Sequence, residues 1–132
     1  MTRREEREQA FILLFEKSFN AETEVEQLYD FALENEVITV GDFTKSLLLK
    51  AWENVEYIDT VIEKYSVGWK LNRISKVALA ALRLAISEML YFDDIPSGVS
   101  INEAVELCKK YGAKEDFAFV NGLLGSASKG IK

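Results

Sequence analysis

A chain of 132 residues has the size of one domain and is long enough to bury roughly two thirds of what its unfolded form exposes. At 48% apolar and 29% charged residues it is neither compositionally disordered nor collagenous, and the lone Cys108 permits no internal disulfide. Zero histidines remove the commonest general base and the commonest metal ligand, which excludes most enzyme classes, and the net charge of -6 argues against bulk binding of polyanions.

One proline, Pro96, and seven scattered glycines leave long stretches compatible with helix, and no β alternation competes. Thr2-Arg-Arg-Glu5 is a capping box that opens a first helix running to about Phe19. Thr23-Glu-Val-Glu26 repeats the signal ahead of Val25, Leu28, Tyr29, Ala32 and Leu33, one apolar stripe at helical spacing. From Asp42 the positions Phe43, Leu47, Ala51, Val55, Ile58 and Ile62 hold that spacing to about Tyr65; one long helix or two short ones broken near Asn54 both fit. Gly68 and Asn72-Arg73 mark a connection. Ile74 to Tyr91 is apolar on most of its circumference, which places this helix among others. Asp93 to Gly98 is a turn, Ser100-Ile-Asn-Glu103 reads as a third capping box, Gly112 as a C′ stop, and a last helix from about Lys114 precedes a loose tail Gly130-Ile-Lys132. The expectation is one all-α domain over residues 1–132, with six to seven helices around a central apolar one.

Nothing in the residues announces catalysis. Cys108 lies on the apolar face of its helix with no histidine to ionise it and reads as a small buried hydrophobe. Glu103 and Glu106 can pair as carboxylates, but the capping box gives Glu103 a structural role. Gly122-Leu-Leu-Gly125 lacks the Lys-Ser/Thr of a phosphate loop. No cofactor or metal is expected. The longest apolar runs, 11–15 and 77–82, fall far short of the ~20 residues a bilayer requires, and the charged start leads into no signal-peptide core, so the expected address is the cytoplasm.

Binding is the alternative to catalysis, and the distribution of charge matters more than its total. The stretch 16–42 carries a balance of -7, whereas 45–76 carries +2 and 109–132 carries +3. Arg3, Arg4 and Arg7 crowd the first two turns, with Arg3 and Arg7 on one face. They suit bidentate phosphate contacts, or equally a solvated helix start neutralised by Glu5, Glu6 and Glu8. Lys109, Lys110 and Lys114 bracket a turn flanked by Tyr111, Phe117 and Phe119. Cations beside rings are what a single-stranded RNA site needs, although a ring at helical spacing is as readily core.

Read together, Leu82-Arg-Leu-Ala-Ile-Ser-Glu88, Ile101-Asn-Glu-Ala-Val-Glu-Leu-Cys-Lys-Lys-Tyr-Gly112 and Phe119-Val-Asn-Gly-Leu-Leu124 resemble the NusB transcription antitermination family over nearly the whole chain. The resemblance implies an all-α domain of two small helical bundles that binds boxA-type single-stranded RNA together with the ribosomal protein NusE. The pair then loads onto the RNA polymerase elongation complex, through other Nus factors, to suppress termination in ribosomal RNA operons. It implies an adaptor and not an enzyme. By position it assigns RNA contacts to Arg4, Arg7, Tyr65, Tyr111 and Phe119, joined by Arg3, Lys110 and Lys114 from the charge pattern, and partner contacts to Phe15 and Phe19. Three departures accompany it. Glu5 and Glu6 interrupt the arginine run, Ala78-Leu79 replaces an acidic–basic pair, and Gly125 and Ala118 replace an aspartate and a lysine. Two other readings stand beside the adaptor: a helical interaction or homodimer scaffold with weak RNA binding, and the RNA-targeting module of a ribosomal RNA methyltransferase.

Overall fold

A computed structural model describes residues 1–131, and every regular element among them is helical. The order is α1 (Arg3–Lys17), α2 (Val25–Glu34), α3 (Asp42–Glu53), α4 (Val55–Tyr65), a one-turn 3-10 helix at Leu71–Arg73, α5 (Lys76–Tyr91), α6 (Ser97–Tyr111) and α7 (Lys114–Ile131). Two small bundles share α5: α1, α2 and α3 pack on one another, α4, α6 and α7 form the other group, and α5 touches both. Twelve of the sixteen α5 residues are buried, as a helix surrounded by others must be. Its alanines, Ala78, Ala80, Ala81 and Ala85, admit close neighbours on several sides at once.

Local signals placed most helix ends. Thr2 and Glu5 form the expected reciprocal cap on α1, and the chain breaks at Asn54 into two helices. Two caps differ from expectation. The α2 cap sits at Glu24, one residue beyond Thr23, because Gln27 reaches back to the Glu24 amide at 3.2 Å while the same stripe stays buried. Helix α6 opens at Ser97 behind Pro96, so Ser100 and Glu103 lie one turn inside it, both buried, and cap nothing. A hydroxyl three residues before a carboxylate matches a local capping pair, whereas here Ser100 bonds Glu88 of α5 and Glu103 bonds Arg4 and Arg7 of α1.

Glycine and its neighbours settle three corners. Gly41 caps α3 without a side chain; Glu6 instead accepts the Phe43 and Thr44 amides at 3.1 and 3.3 Å, and a Cβ at position 41 would collide with that carboxylate. Gly112 closes α6 in extended conformation, φ -114, not as a left-handed C′ stop. Its small size is needed because a Cβ there would crowd Val77 and Asp116. Gly130 belongs to α7, with the Tyr65 hydroxyl lying where its Cβ would be. The expected loose tail is therefore helical through Ile131, and Lys132 lies outside the described residues. Helix α1 ends at Lys17 rather than Phe19.

At the end of α2 the Val37 amide donates to the Ala32 carbonyl at 2.8 Å and the Glu36 amide to Leu33 at 3.1 Å, a Schellman closure with Glu36 at φ 58. A side chain in that left-handed position is strained, where glycine is not. Glu36→Gly should therefore raise stability by about 1 kcal/mol, read as a higher Tm. A lower Tm would mean that the Glu36 side chain makes a compensating contact.

Candidate nucleic-acid interface

The arginines of α1 do not form a free cationic arm. Arg7 is 3% exposed. Its Nε and Nη2 donate to the two carboxylate oxygens of Glu88 at 2.6 and 3.1 Å, and its Nη1 donates to Glu103 at 3.3 Å. The Ser100 hydroxyl donates to Glu88 at 2.9 Å, closing the network. Arg7 is thus removed from the expected RNA contacts: its charge is spent on a fully buried carboxylate of α5. Arg4 remains at the surface but is clamped to Glu103 by two bonds, 3.0 and 2.7 Å. Arg3 lies over the Phe43 ring at 4.0 Å and near Asp94 at 3.9 Å. Glu5 and Glu6, which interrupt the arginine run, serve the caps of α1 and α3.

Across the groove between α1 and α6, Glu8 accepts from Lys110 Nζ at 2.6 Å and from the Tyr111 hydroxyl at 2.5 Å. The groove is lined by Arg4, Arg7, Glu8, Glu103, Glu106, Leu107 and Lys110, so cations and carboxylates balance. These bonds set the proton affinities. The bond from Arg4 holds the Glu103 carboxyl below its ordinary range, with burial opposing. Burial would raise Glu8, but the bonds from Lys110 and Tyr111 outweigh it and leave it lowered. The bond to Glu8 raises both Lys110 and Tyr111. Cys108 is pushed up to about 12 by burial, which fits a packed thiol and no nucleophile.

The rings and the remaining cations gather around the first turn of α5 and the corner between α6 and α7. Asp116 fixes that corner: its carboxylate accepts the Ala113 amide at 2.8 Å and the Ser75 hydroxyl at 2.7 Å, and Ser75 caps α5. Beside it opens a mostly apolar recess of about 380 Å³, lined by Trp69, Arg73, Ile74, Ser75, Ala78, Ala113, Glu115, Asp116 and Phe119. Phe119 enters from α7 half-buried, while Trp69 stands 55% exposed on the segment before α5. Lys114 is exposed at the start of α7, and Lys109 pairs loosely with Glu106 at 3.6 Å beside Phe117. Tyr65 is half-buried against the end of α7 and does not line this recess.

A third hollow, of about 310 Å³ and largely apolar, lies between α1 and α5 and is lined by Phe11, Ile12, Phe15, Glu16, Val77 and Tyr111. Phe15 is half-buried in it, and its ring meets the 60% exposed Phe19 edge-on at 5.1 Å. Tyr111 packs on Phe11 at 5.4 Å, so it borders the ionic groove on one side and this hollow on the other. The three depressions adjoin through Lys110–Tyr111 and Val77–Ala78, neighbours in the chain.

Sequence reasoning missed Trp69 and Arg73. The available signal was an aromatic and a cation within a Gly-containing connection, where binding residues concentrate.

The comparisons with known proteins agree among themselves. The NusB family model matches residues 4–129. The transcription antitermination protein NusB of Ruminiclostridium cellulolyticum is 46% identical over 132 residues, covering 98% of this chain and 90% of that protein. The protein of the same name from Clostridium perfringens strain SM101 is 44% identical over the full length of both. Among solved structures, T. maritima NusB superposes with a TM-score of 0.88 at 34% identity, covering 98% of this chain and 92% of that one. A complex described as the antitermination factors NusB and NusE with double-stranded RNA gives 0.86 at 29% identity, covering 97% and 96%.

Two outcomes test the ionic reading. Glu88→Ala leaves the Arg7 guanidinium buried without its partner and should cost about 3 to 5 kcal/mol, measured by denaturant unfolding. Glu8 and Glu103 hold lower proton affinities folded than unfolded. Their contribution is therefore present above the ordinary glutamate value of about 4.3 and is lost as pH falls through the depressed folded values. Melting measured from neutral pH to about pH 3 should show a loss on the acid side that Glu103→Gln flattens; an identical profile in the variant would remove Glu103 from the account.

Proposed function

The chain belongs to the NusB family, and from that premise we propose that it is an antitermination adaptor that reads boxA-type single-stranded RNA together with NusE in ribosomal RNA operons. The observation that carries the RNA reading is the recess between Trp69 and Phe119. Two rings from separate segments face one hollow of about 380 Å³, a size that takes an unstacked base. Arg73 on its wall and Lys114 beside it supply cations for the adjoining phosphates. Arg3, Arg4, Lys110 and Tyr111 extend the surface toward α1. There a phosphate must displace Glu103 from Arg4 and Glu8 from Lys110, so this arm contributes less than its arginine count suggests.

The apolar hollow with Phe15 and the exposed Phe19 is the surface for NusE. A monomer gains nothing by holding two phenylalanines edge to face at the rim of an apolar groove, whereas a protein partner covers them. That the solved complex pairs a NusB with NusE and RNA supports the assignment. In this reading the protein acts in the cytoplasm without catalysis and meets RNA polymerase through other Nus factors. Among the described residues no helix is long and apolar enough to cross a membrane.

A scaffold without RNA function is the competing reading, favoured by the neutralised α1 arm, and salt separates the two. Cation-mediated RNA binding weakens steeply as salt rises, whereas a mainly apolar interface does not. Titration of a labelled boxA-type strand across salt concentrations, with and without NusE, is the direct experiment. Trp69→Ala should weaken RNA binding by about 1 to 3 kcal/mol while hardly moving Tm, because the ring is exposed. Arg4→Ala should have a smaller effect. Unchanged RNA affinity in Trp69→Ala would take the recess out of the interface.

A further inference from the structure

On the other side of the first α5 turn lies a cationic recess that neither the RNA surface nor the apolar hollow uses. It holds about 230 Å³ and is lined by Lys17, Ser18, Ala21, Trp52, Lys76, Leu79 and Arg83, three cations with no carboxylate among them. Arg83 is answered by Asp59 through two bonds of 2.9 Å. Lys17 and Lys76 have no ion-pair partner among the described residues. Lys17 is the unusual one: it is 6% exposed, and its ammonium donates to the carbonyl oxygens of Asn20 and Ala21 at 3.1 and 2.9 Å and lies over the Trp52 ring, with no carboxylate bonded to it among the described residues. A buried charge without a counter-ion is costly, and an arriving anion relieves that cost. In a chain of net charge -6, two uncompensated cations converging on one hollow stand against the average.

We propose that this recess receives an aspartate or glutamate side chain of the protein that docks on Phe15 and Phe19, so that the partner surface has an apolar half and an anion-binding half. The proposal rests on the partner reading given above. Glu16 of the apolar hollow and Lys17 of the cationic one are consecutive in the chain, as are Val77 and Lys76, so the two hollows border each other at the end of α1. A carboxylate is favoured over an RNA phosphate because the only ring present, Trp52, is already taken by cations. Lys17 lies 5.1 Å and Arg83 5.4 Å from its centroid, which leaves no ring for a base to stack on.

The test uses the full chain and NusE, with affinity measured by calorimetry at low and high salt. Lys76 is exposed and its side chain makes no hydrogen bond or ion pair among the described residues, so Lys76→Glu should leave Tm unchanged. It should weaken NusE binding about tenfold, reduce the salt dependence of that binding and leave binding of boxA-type RNA alone unaltered. Replacing the acidic surface residues of NusE one at a time by alanine should find one whose effect vanishes in the Lys76→Glu background. If Phe15→Ser weakens NusE binding and Lys76→Glu does not, the anion subsite is wrong while the partner surface stands. If neither does, or the unaltered proteins fail to bind, both fall. Weakened RNA binding with NusE unaffected would assign the recess to phosphate and overturn the proposal.

Discussion

A guanidinium out of reach of water must have its charge met where it lies, and Arg7 meets it on Glu88, a carboxylate with no exposure at all near the C-terminal end of α5. This pair fixes how α1 lies on the central helix. Ser100 and Glu103 of α6 complete the coordination, so three helices from distant parts of the chain are set by one ionic network. Such a network has few alternative arrangements, because each partner left unpaired in a low-dielectric interior is expensive. The apolar core around it, from Phe11 to Leu124, supplies the driving force for collapse, whereas the network selects which helix faces meet.

The same network governs what the surface can do. An arginine run at a helix start looks like a phosphate grip, but here the folded chain brings α6 carboxylates to it. Glu103 takes Arg4 and a share of Arg7, while Glu8, from α1 itself, takes Lys110 and Tyr111. The balance of charge in the α1–α6 groove is therefore close to even. In the recess of Trp69 and Phe119, Arg73 stands beside Glu115 and Asp116, so in the proposed reading that recess holds RNA by its rings more than by its charge.

The first turn of α5 organises the three working surfaces. Ser75 and Ala78 face the ring-lined recess, Val77 the apolar hollow, and Lys76 and Leu79 the cationic one. Consecutive residues on a helix point about 100° apart, so a single turn borders three hollows at once. In the proposed reading RNA and a protein partner then sit side by side without sharing contacts, as an adaptor requires.

Much of this protein was legible in its sequence. Apolar periodicity, the reciprocal cap at Thr2 and Glu5 and the all-round hydrophobicity of α5 gave most helices and their burial, because those features depend on residues within a turn or two of each other; whether one helix or two ran from Asp42 to Tyr65 was decided only by the fold, at Asn54. The aromatic character of the α6–α7 corner was visible for the same reason, whereas Phe19 came forward only through the family resemblance. What no local pattern carries is the identity of partners far apart in the chain. Ser100 and Glu103 looked like a helix cap and proved to be ligands of residues on α5 and α1. Arg7 looked like a phosphate contact and proved to be the buried half of an ion pair. Trp69 and Arg73 came to line one recess only when Phe119, some fifty positions later, was folded beside them. Spacing determines which side chains share a face of a helix; only packing decides whether that face meets water, a carboxylate or another ring, since burial and electrostatic compensation are properties of the assembled neighbourhood.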